Sequence, residues 1–259
     1  MCLLVLAWQA HPRYRLVVAA NRDEFHERPT APLAKWPPPA EILAGRDLRA
    51  NGTWLGLDHR RYFGVITNFR DLQRPRPEAP TRGALIPRYL ADGSVKAFLT
   101  QLEPEAPRYS GFNLLLADGD SLWYASNRAQ PFARELPPGV YGLSNQFLDT
   151  PWPKLRRVRQ RFDAWLGDPV NASASGLFSL LDDRKTATAD EELPQTGITP
   201  EWERVLSAPF VLNPDYGTRC STVLLLEASG AAYLAERRFD PKGVPTGETE
   251  FALAAGQWP

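Results

Sequence analysis

The hydrophobic patterning predicts an α+β protein with layered sheets. Apolar runs of strand length stand at both ends of the chain, and segments with helical spacing lie between them. No internal repeat and no long linker divides the sequence, so a single domain over residues 1–259 is expected.

The elements follow in order. Leu3-Leu4-Val5-Leu6-Ala7-Trp8 and Leu16-Val17-Val18-Ala19-Ala20 are apolar on both faces and flank the turn-like His11-Pro12-Arg13. They read as a hairpin of two central strands. The first run has no basic flank and no small-residue cleavage site, and it is too short to span a bilayer, so a signal peptide or anchor is not expected. Arg28 to Pro39 is rich in proline and reads as an extended loop. Asn51-Gly52 marks a tight turn before a strand at Thr53-Trp54-Leu55-Gly56-Leu57, which pairs with one from Tyr62 to Asn68. Residues 71–81, with several prolines and charges, read as a surface loop.

Leu85, Tyr89 and Leu90 then share a helical face. Ser94 stands where it can cap a helix carrying Val95, Phe98, Leu99 and Leu102. Residues 112–117 and 121–126 form a hairpin turning at Asp118-Gly119-Asp120. A helix starting near Asp149-Thr150-Pro151 repeats Leu155, Val158, Phe162 and Trp165 at helical spacing. Its arginine face reads as solvated surface. A polar, acidic loop around 182–200 precedes strands at Ser221–Glu227, Ala231–Phe239 and near Phe251.

Composition bounds the function. Hydrophobic residues at 43% are enough for an ordinary globular core without staples. Lys+Arg and Asp+Glu balance at 30 each, so neither a nucleic-acid footprint nor a polybasic membrane surface is expected. The two cysteines, Cys2 and Cys220, form neither a disulfide framework nor a zinc-ligand pattern, which makes the cytoplasm the expected compartment. A bond between the two is not excluded by spacing. Cys220 reads as a small buried residue beside a strand.

Nucleophile-elbow, P-loop and dinucleotide motifs are absent, and His11, His26 and His59 are scattered without metal-ligand spacing. Cys2 stands out by position. Methionine removal is favoured when the next side chain is small, and it would give Cys2 a free α-amine. An α-amine titrates near ~7.7–8.0 and a thiol near ~8.5. Nucleophile and general base would then sit on one residue. The plainer reading makes Cys2 merely the first residue of a buried strand. Asn21-Arg22-Asp23-Glu24 follows the second apolar run, and in an antiparallel hairpin that cluster comes to lie beside Cys2. An Asp or Arg there orients the amine and tunes the thiol.

Asn21-Arg22-Asp23-Glu24-Phe25 after Met1-Cys2 resembles the NRDE family, also called the transport and Golgi organization protein 2 family. Asn51-Gly52-Thr53-Trp54-Leu55-Gly56, Thr67-Asn68-Phe69-Arg70, Arg82-Gly83 and Gly111-Phe112-Asn113-Leu114 agree with it. So do Gly142-Leu143-Ser144-Asn145, Leu148 through Lys154, Leu193-Pro194, Thr196-Gly197 and Tyr216 through Val223. These segments span nearly the whole chain in order. The family is similar in pattern to N-terminal nucleophile hydrolases of the penicillin acylase and bile-salt hydrolase type. The resemblance therefore implies a four-layer αββα sandwich.

It further implies a set of catalytic residues: Cys2 as nucleophile, Asp23 on the α-amine, Asn68 and Asn145 as oxyanion or substrate donors, and Arg219 in the pocket. Asn21, Arg22, Glu24 and Trp54 are implied on the substrate side. One departure stands out. The acylases carry an arginine three residues before their aspartate, but position 20 here is alanine and Arg22 directly precedes Asp23. The pattern thus leaves the direction of Arg22 open. The expected activity is hydrolysis of a linear, non-peptide amide, without a metal or other cofactor. The competing reading is a non-enzymatic carrier of haem or of lipid and acyl-CoA, with haem as cargo. A class II glutamine amidotransferase also begins Met-Cys but usually continues with glycine, and its downstream motifs differ.

Overall fold

The computed structural model describes residues 2–71, 78–168 and 172–259. Most of the loop expected at 71–81 lies outside them. The first strands are β1 (Cys2–Trp8), β2 (Tyr14–Phe25), β3 (Thr30–Lys35), β4 (Ile42–Asp47), β5 (Leu55–Asp58) and β6 (Phe63–Asn68). Helices α1 (Leu85–Asp92) and α2 (Val95–Glu105) follow, then β7 (Phe112–Ala117), β8 (Leu122–Ser126), β9 (Ala133–Leu136) and β10 (Gly139–Leu143). Helices α3 (Pro153–Leu166), α4 (Ala174–Leu181) and α5 (Pro200–Val205) precede β11 (Tyr216–Glu227), β12 (Ala232–Phe239) and β13 (Pro245–Leu253). The chain divides into two compact units, each with one antiparallel sheet, and the class is α+β.

The first unit comprises Met1–Glu27, Pro138–Ser144 and Leu148–Ala255. Its sheet runs β10-β1-β2-β11-β12-β13, so β1 and β2 are central, as their two-faced apolar runs predict. Leu3, Val5, Val17, Ala19, Val223 and Leu225 form one face and pack against Leu155, Val158 and Phe162 of α3 and Leu177, Phe178 and Leu181 of α4. Gly142 lets α3 come close, since a Cβ there would lie 2.6 Å from Leu155 Cδ1.

The second unit comprises Arg28–Pro137, Asn145–Phe147 and Gly256–Pro259, with sheet order β3 to β9 in sequence. Helices α1 and α2 cover one face through Ile86, Tyr89, Leu90, Phe98, Leu99 and Leu102. The Ser94 hydroxyl accepts from Ala97 N at 3.3 Å, the cap that the sequence predicts. Gly52 lies against the backbone of Gly83, where a Cβ would stand 2.4 Å from the carbonyl carbon.

Several boundaries differ from expectation. β2 does not stop before Asn21-Arg22-Asp23-Glu24 but continues through it, because β11 keeps pairing as far as Phe25 opposite Tyr216. The stretch from Arg28 to Pro39 holds β3, an edge strand, where proline's missing N–H does no harm. The central strand of the second hairpin starts at Leu55, two residues late, and β11 starts at Tyr216 rather than Ser221. α4 was not expected, although Ser173 caps it by accepting from Gly176 N. No helix among the described residues is long and apolar enough to cross a membrane.

Candidate active site

Cys2 opens β1 and pairs directly with Arg22 of β2, while Arg22 pairs on its other side with Cys220 of β11. Directly opposed residues share a face of a sheet. Arg22 therefore points to the side of Cys2, which answers the direction that the sequence pattern left open. Both cysteines are free. Ser144, just after β10, donates its hydroxyl to the Cys2 carbonyl at 3.0 Å. The carbonyl of the candidate nucleophile is thus fixed by a side chain from the neighbouring connection. Desolvation pushes the Cys2 thiol up. Asp23 adds to this, while the Arg22 charge and the Asp23 backbone N–H oppose it. Burial and the buried Glu236 drive Cys220 well above the ordinary thiol value, leaving it the less reactive of the two.

Asp23 is buried, with 1% exposure. Thr218 Oγ donates to its Oδ1 at 2.7 Å, and Tyr216 Oη donates to its backbone oxygen at 2.8 Å. Thr218 is itself held, because its hydroxyl accepts from Val211 N at 2.9 Å. Burial pushes the Asp23 carboxyl up, and the charge of Lys154, the Thr218 hydrogen bond and Arg22 pull against it. Arg219 occupies the irregularity where β11 slips register between Thr218 and Cys220. Its Nη1 donates to the Phe25 carbonyl at 2.8 Å. Burial, then the nearby Arg22 charge, lowers its guanidinium from the ordinary value. Glu24 accepts from Phe25 N at 3.0 Å.

Asn21 sits on the other face. Its Nδ2 donates to the carbonyls of Leu181 and Pro209, each at 2.9 Å, and its Oδ1 accepts from Ser221 Oγ at 2.6 Å. The amide ties the end of α4 and the segment before β11 to the sheet. Of the residues picked from sequence, Cys2, Arg22, Asp23, Glu24 and Arg219 come together at adjoining ends of β1, β2 and β11, while Asn21, on the same face as Asp23, spends its side chain on the scaffold.

Asn68, Asn145 and Trp54 belong to the second unit. Asn145 Nδ2 donates to both the Oδ1 and the backbone oxygen of Asn68, at 2.9 and 3.1 Å. That arrangement orients the Asn68 amide and turns its own Nδ2 away from Asn145. Trp54 is buried, and its carbonyl accepts from Ile66 N at 2.8 Å. Sequence reasoning assigned no role to Ser144, Lys154, Tyr216, Thr218 or Glu236. The first four stand inside the segments that carry the resemblance, which was the available signal.

A family model described as Transport and Golgi organisation 2 matches residues 1–241. The mouse Transport and Golgi organization 2 homolog is 34% identical over 276 residues, covering 98% of this chain and 99% of that one. The human Transport and Golgi organization protein 2 homolog is 33% identical over 276 residues, with the same coverage. The Drosophila melanogaster Transport and Golgi organization protein 2 is 28% identical over 274 residues, 94% and 95% of the two chains. Among solved structures, the Caenorhabditis elegans N-acylethanolamine-hydrolyzing acid amidase ortholog aligns with a TM-score of 0.47 and 11% identity, over 86% of this chain and 92% of that one.

Proposed function

The chain belongs to the Transport and Golgi organisation 2 family, and from the geometry around Cys2 we propose that it hydrolyses linear, non-peptide carbon–nitrogen bonds with Cys2 as nucleophile. The observation that carries this reading is the register that sets Cys2 opposite Arg22 and beside Asp23 at the end of a central strand.

Removal of Met1 frees the α-amine of Cys2. That amine takes the thiol proton, and the sulfur attacks the amide carbon. The tetrahedral species collapses as the carbon–nitrogen bond breaks, and the leaving nitrogen takes the proton back from the amine. A thioester remains on Cys2. Water then attacks it, gives a proton to the same amine, and releases the acid and the thiol. Arg22 favours the thiolate by its charge, Asp23 orients the amine, and Ser144 holds the strand end still.

Cys2→Ala is expected to abolish turnover of a linear-amide panel while leaving the circular dichroism spectrum and unfolding midpoint intact. Intact mass of the purified protein is expected to lack Met1. Retained Met1, or full turnover by Cys2→Ala, refutes the proposal. Ligand capture that survives in Cys2→Ala, with no turnover in either form, points instead to a carrier.

A further inference from the structure

Lys154 is the second residue of α3 and is 1% exposed. Both circumstances oppose a cation. Burial strips an ammonium of its hydration. The first turn of a helix carries the positive end of the macrodipole. A lysine kept there needs an anion, and the sheet register identifies one.

Helix α3 packs through Leu155 and Val158 on the face of β1 that carries Leu3 and Val5. Leu3 pairs with Asn21, so Asn21 and, two residues on, Asp23 face that same helical layer. The Asn21 amide reaching the end of α4 confirms the side. Burial pushes the Asp23 carboxyl up, and the Lys154 charge is the strongest influence pulling it back. Asp23 also lies toward the backbone nitrogen of Cys2, because in the antiparallel pairing of Cys2 with Arg22 the N-terminal side of Cys2 runs past Asp23.

A buried carboxylate beside an α-amine creates a difficulty for the proposed chemistry. An adjacent anion raises an amine's pKa and keeps it as ammonium. An ammonium cannot accept the thiol proton, and a general base works best when its pKa lies near the working pH. We infer that Lys154 is a positioning residue of the Cys2 centre, whose charge offsets that of Asp23 so that Asp23 orients the α-amine without trapping it as ammonium. This rests on the reading of Cys2 as an N-terminal nucleophile.

The other charged or titratable groups of the first unit near this end of the sheet include the Cys2 thiol, Arg22 and Glu24 from β2, Arg219 and Cys220 from β11, and Glu236 and Arg238 from β12. Arg22 and Glu236 are both buried and opposite in sign, and they act in opposite directions on the Cys220 thiol. From the connection after β10, the neutral Ser144 hydroxyl reaches the Cys2 carbonyl, while Asp149 is turned to Gly142 N and Arg159.

The test is an NMR titration of full-length protein labelled with 13C and 15N in cysteine, where only Cys2 and Cys220 report. The Cys2 nitrogen follows the amine and its Cβ follows the thiol. Wild-type amine is expected to titrate at or below the ordinary ~7.7–8.0. In Lys154→Met the midpoint is expected to rise by about one pH unit, about tenfold less free amine at neutral pH, and the acid limb of kcat/KM is expected to move with it. Lys154→Arg keeps the wild-type midpoint, and adding Asp23→Asn to Lys154→Met restores it. Should Lys154→Met not fold, Asp23→Asn alone carries the test, because the unopposed lysine is expected to lower the midpoint. An amine that titrates identically in wild type and in these single-charge variants overturns the inference while leaving Cys2 as nucleophile. A Cys2 nitrogen that appears as an amide overturns both.

Discussion

Asn21→Ala separates the scaffold from the chemistry within four consecutive polar residues. The Asn21 side chain makes three hydrogen bonds at a position with 1% exposure: two to the carbonyls of Leu181 and Pro209, and one from the Ser221 hydroxyl. A buried hydrogen bond contributes a net ~1 kcal/mol, so the truncation is expected to cost about 3 kcal/mol. For a unit of this size that corresponds to a fall in Tm of roughly 6–12 °C. Urea titration followed by tryptophan fluorescence, with the slope m unchanged, measures the loss directly. Turnover per folded molecule is expected to stay at the wild-type level, since all three Asn21 side-chain hydrogen bonds go to Leu181, Pro209 and Ser221 and none to a group assigned to the chemistry. A loss below about 0.5 kcal/mol combined with a raised KM would refute this placement and return Asn21 to the substrate.

Two further outcomes follow from the same geometry. Burial holds the Asp23 carboxyl above its ordinary value, so the folded state binds that proton more tightly than the unfolded chain does. This contribution is fully present below the unfolded value of ~3.9 and is lost as pH rises through the folded one. Urea midpoints of wild type against Asp23→Asn are therefore expected to show wild type losing ground as pH climbs above about 4, and the opposite slope would contradict the assignment. Gly52→Ala drives a Cβ to 2.4 Å from the Gly83 carbonyl carbon and strains the Thr53 N–H bond to Gly83 O, so a loss of about 1–3 kcal/mol is expected; an unchanged Tm would show that the contact gives way freely.

The sequence made the central hairpin, α1, α2, α3 and the Asp118 turn legible because each carries a period, a cap or a turn residue of its own. β3 was hidden by prolines that only an edge position tolerates, and edge position is a property of the finished sheet. The length of β2 was hidden by polarity. Asn21, Arg22 and Asp23 are all buried and paired, and nothing in a local window distinguishes a buried polar strand end from a loop. At the candidate site, position and resemblance singled out Cys2 and Asp23, which the register places at adjoining strand ends. The direction of Arg22 needed the register, the backbone-tying role of Asn21 needed α4, and the place of Lys154 needed its burial.

Arg22 lies between the two thiols of the chain in the same row of the sheet, with Cys2 one strand away on one side and Cys220 one strand away on the other. Two strand spacings put their Cα atoms about 10 Å apart, beyond the ~6.8 Å that a disulfide spans. An oxidised Cys2 therefore finds no resolving partner in its own chain. A disulfide route back from its sulfenic acid then needs a thiol supplied from outside, and continued oxidant carries it on to the sulfinic acid. The strand that positions Arg22 beside the candidate nucleophile also makes that nucleophile's recovery from oxidant depend on the surrounding reductant.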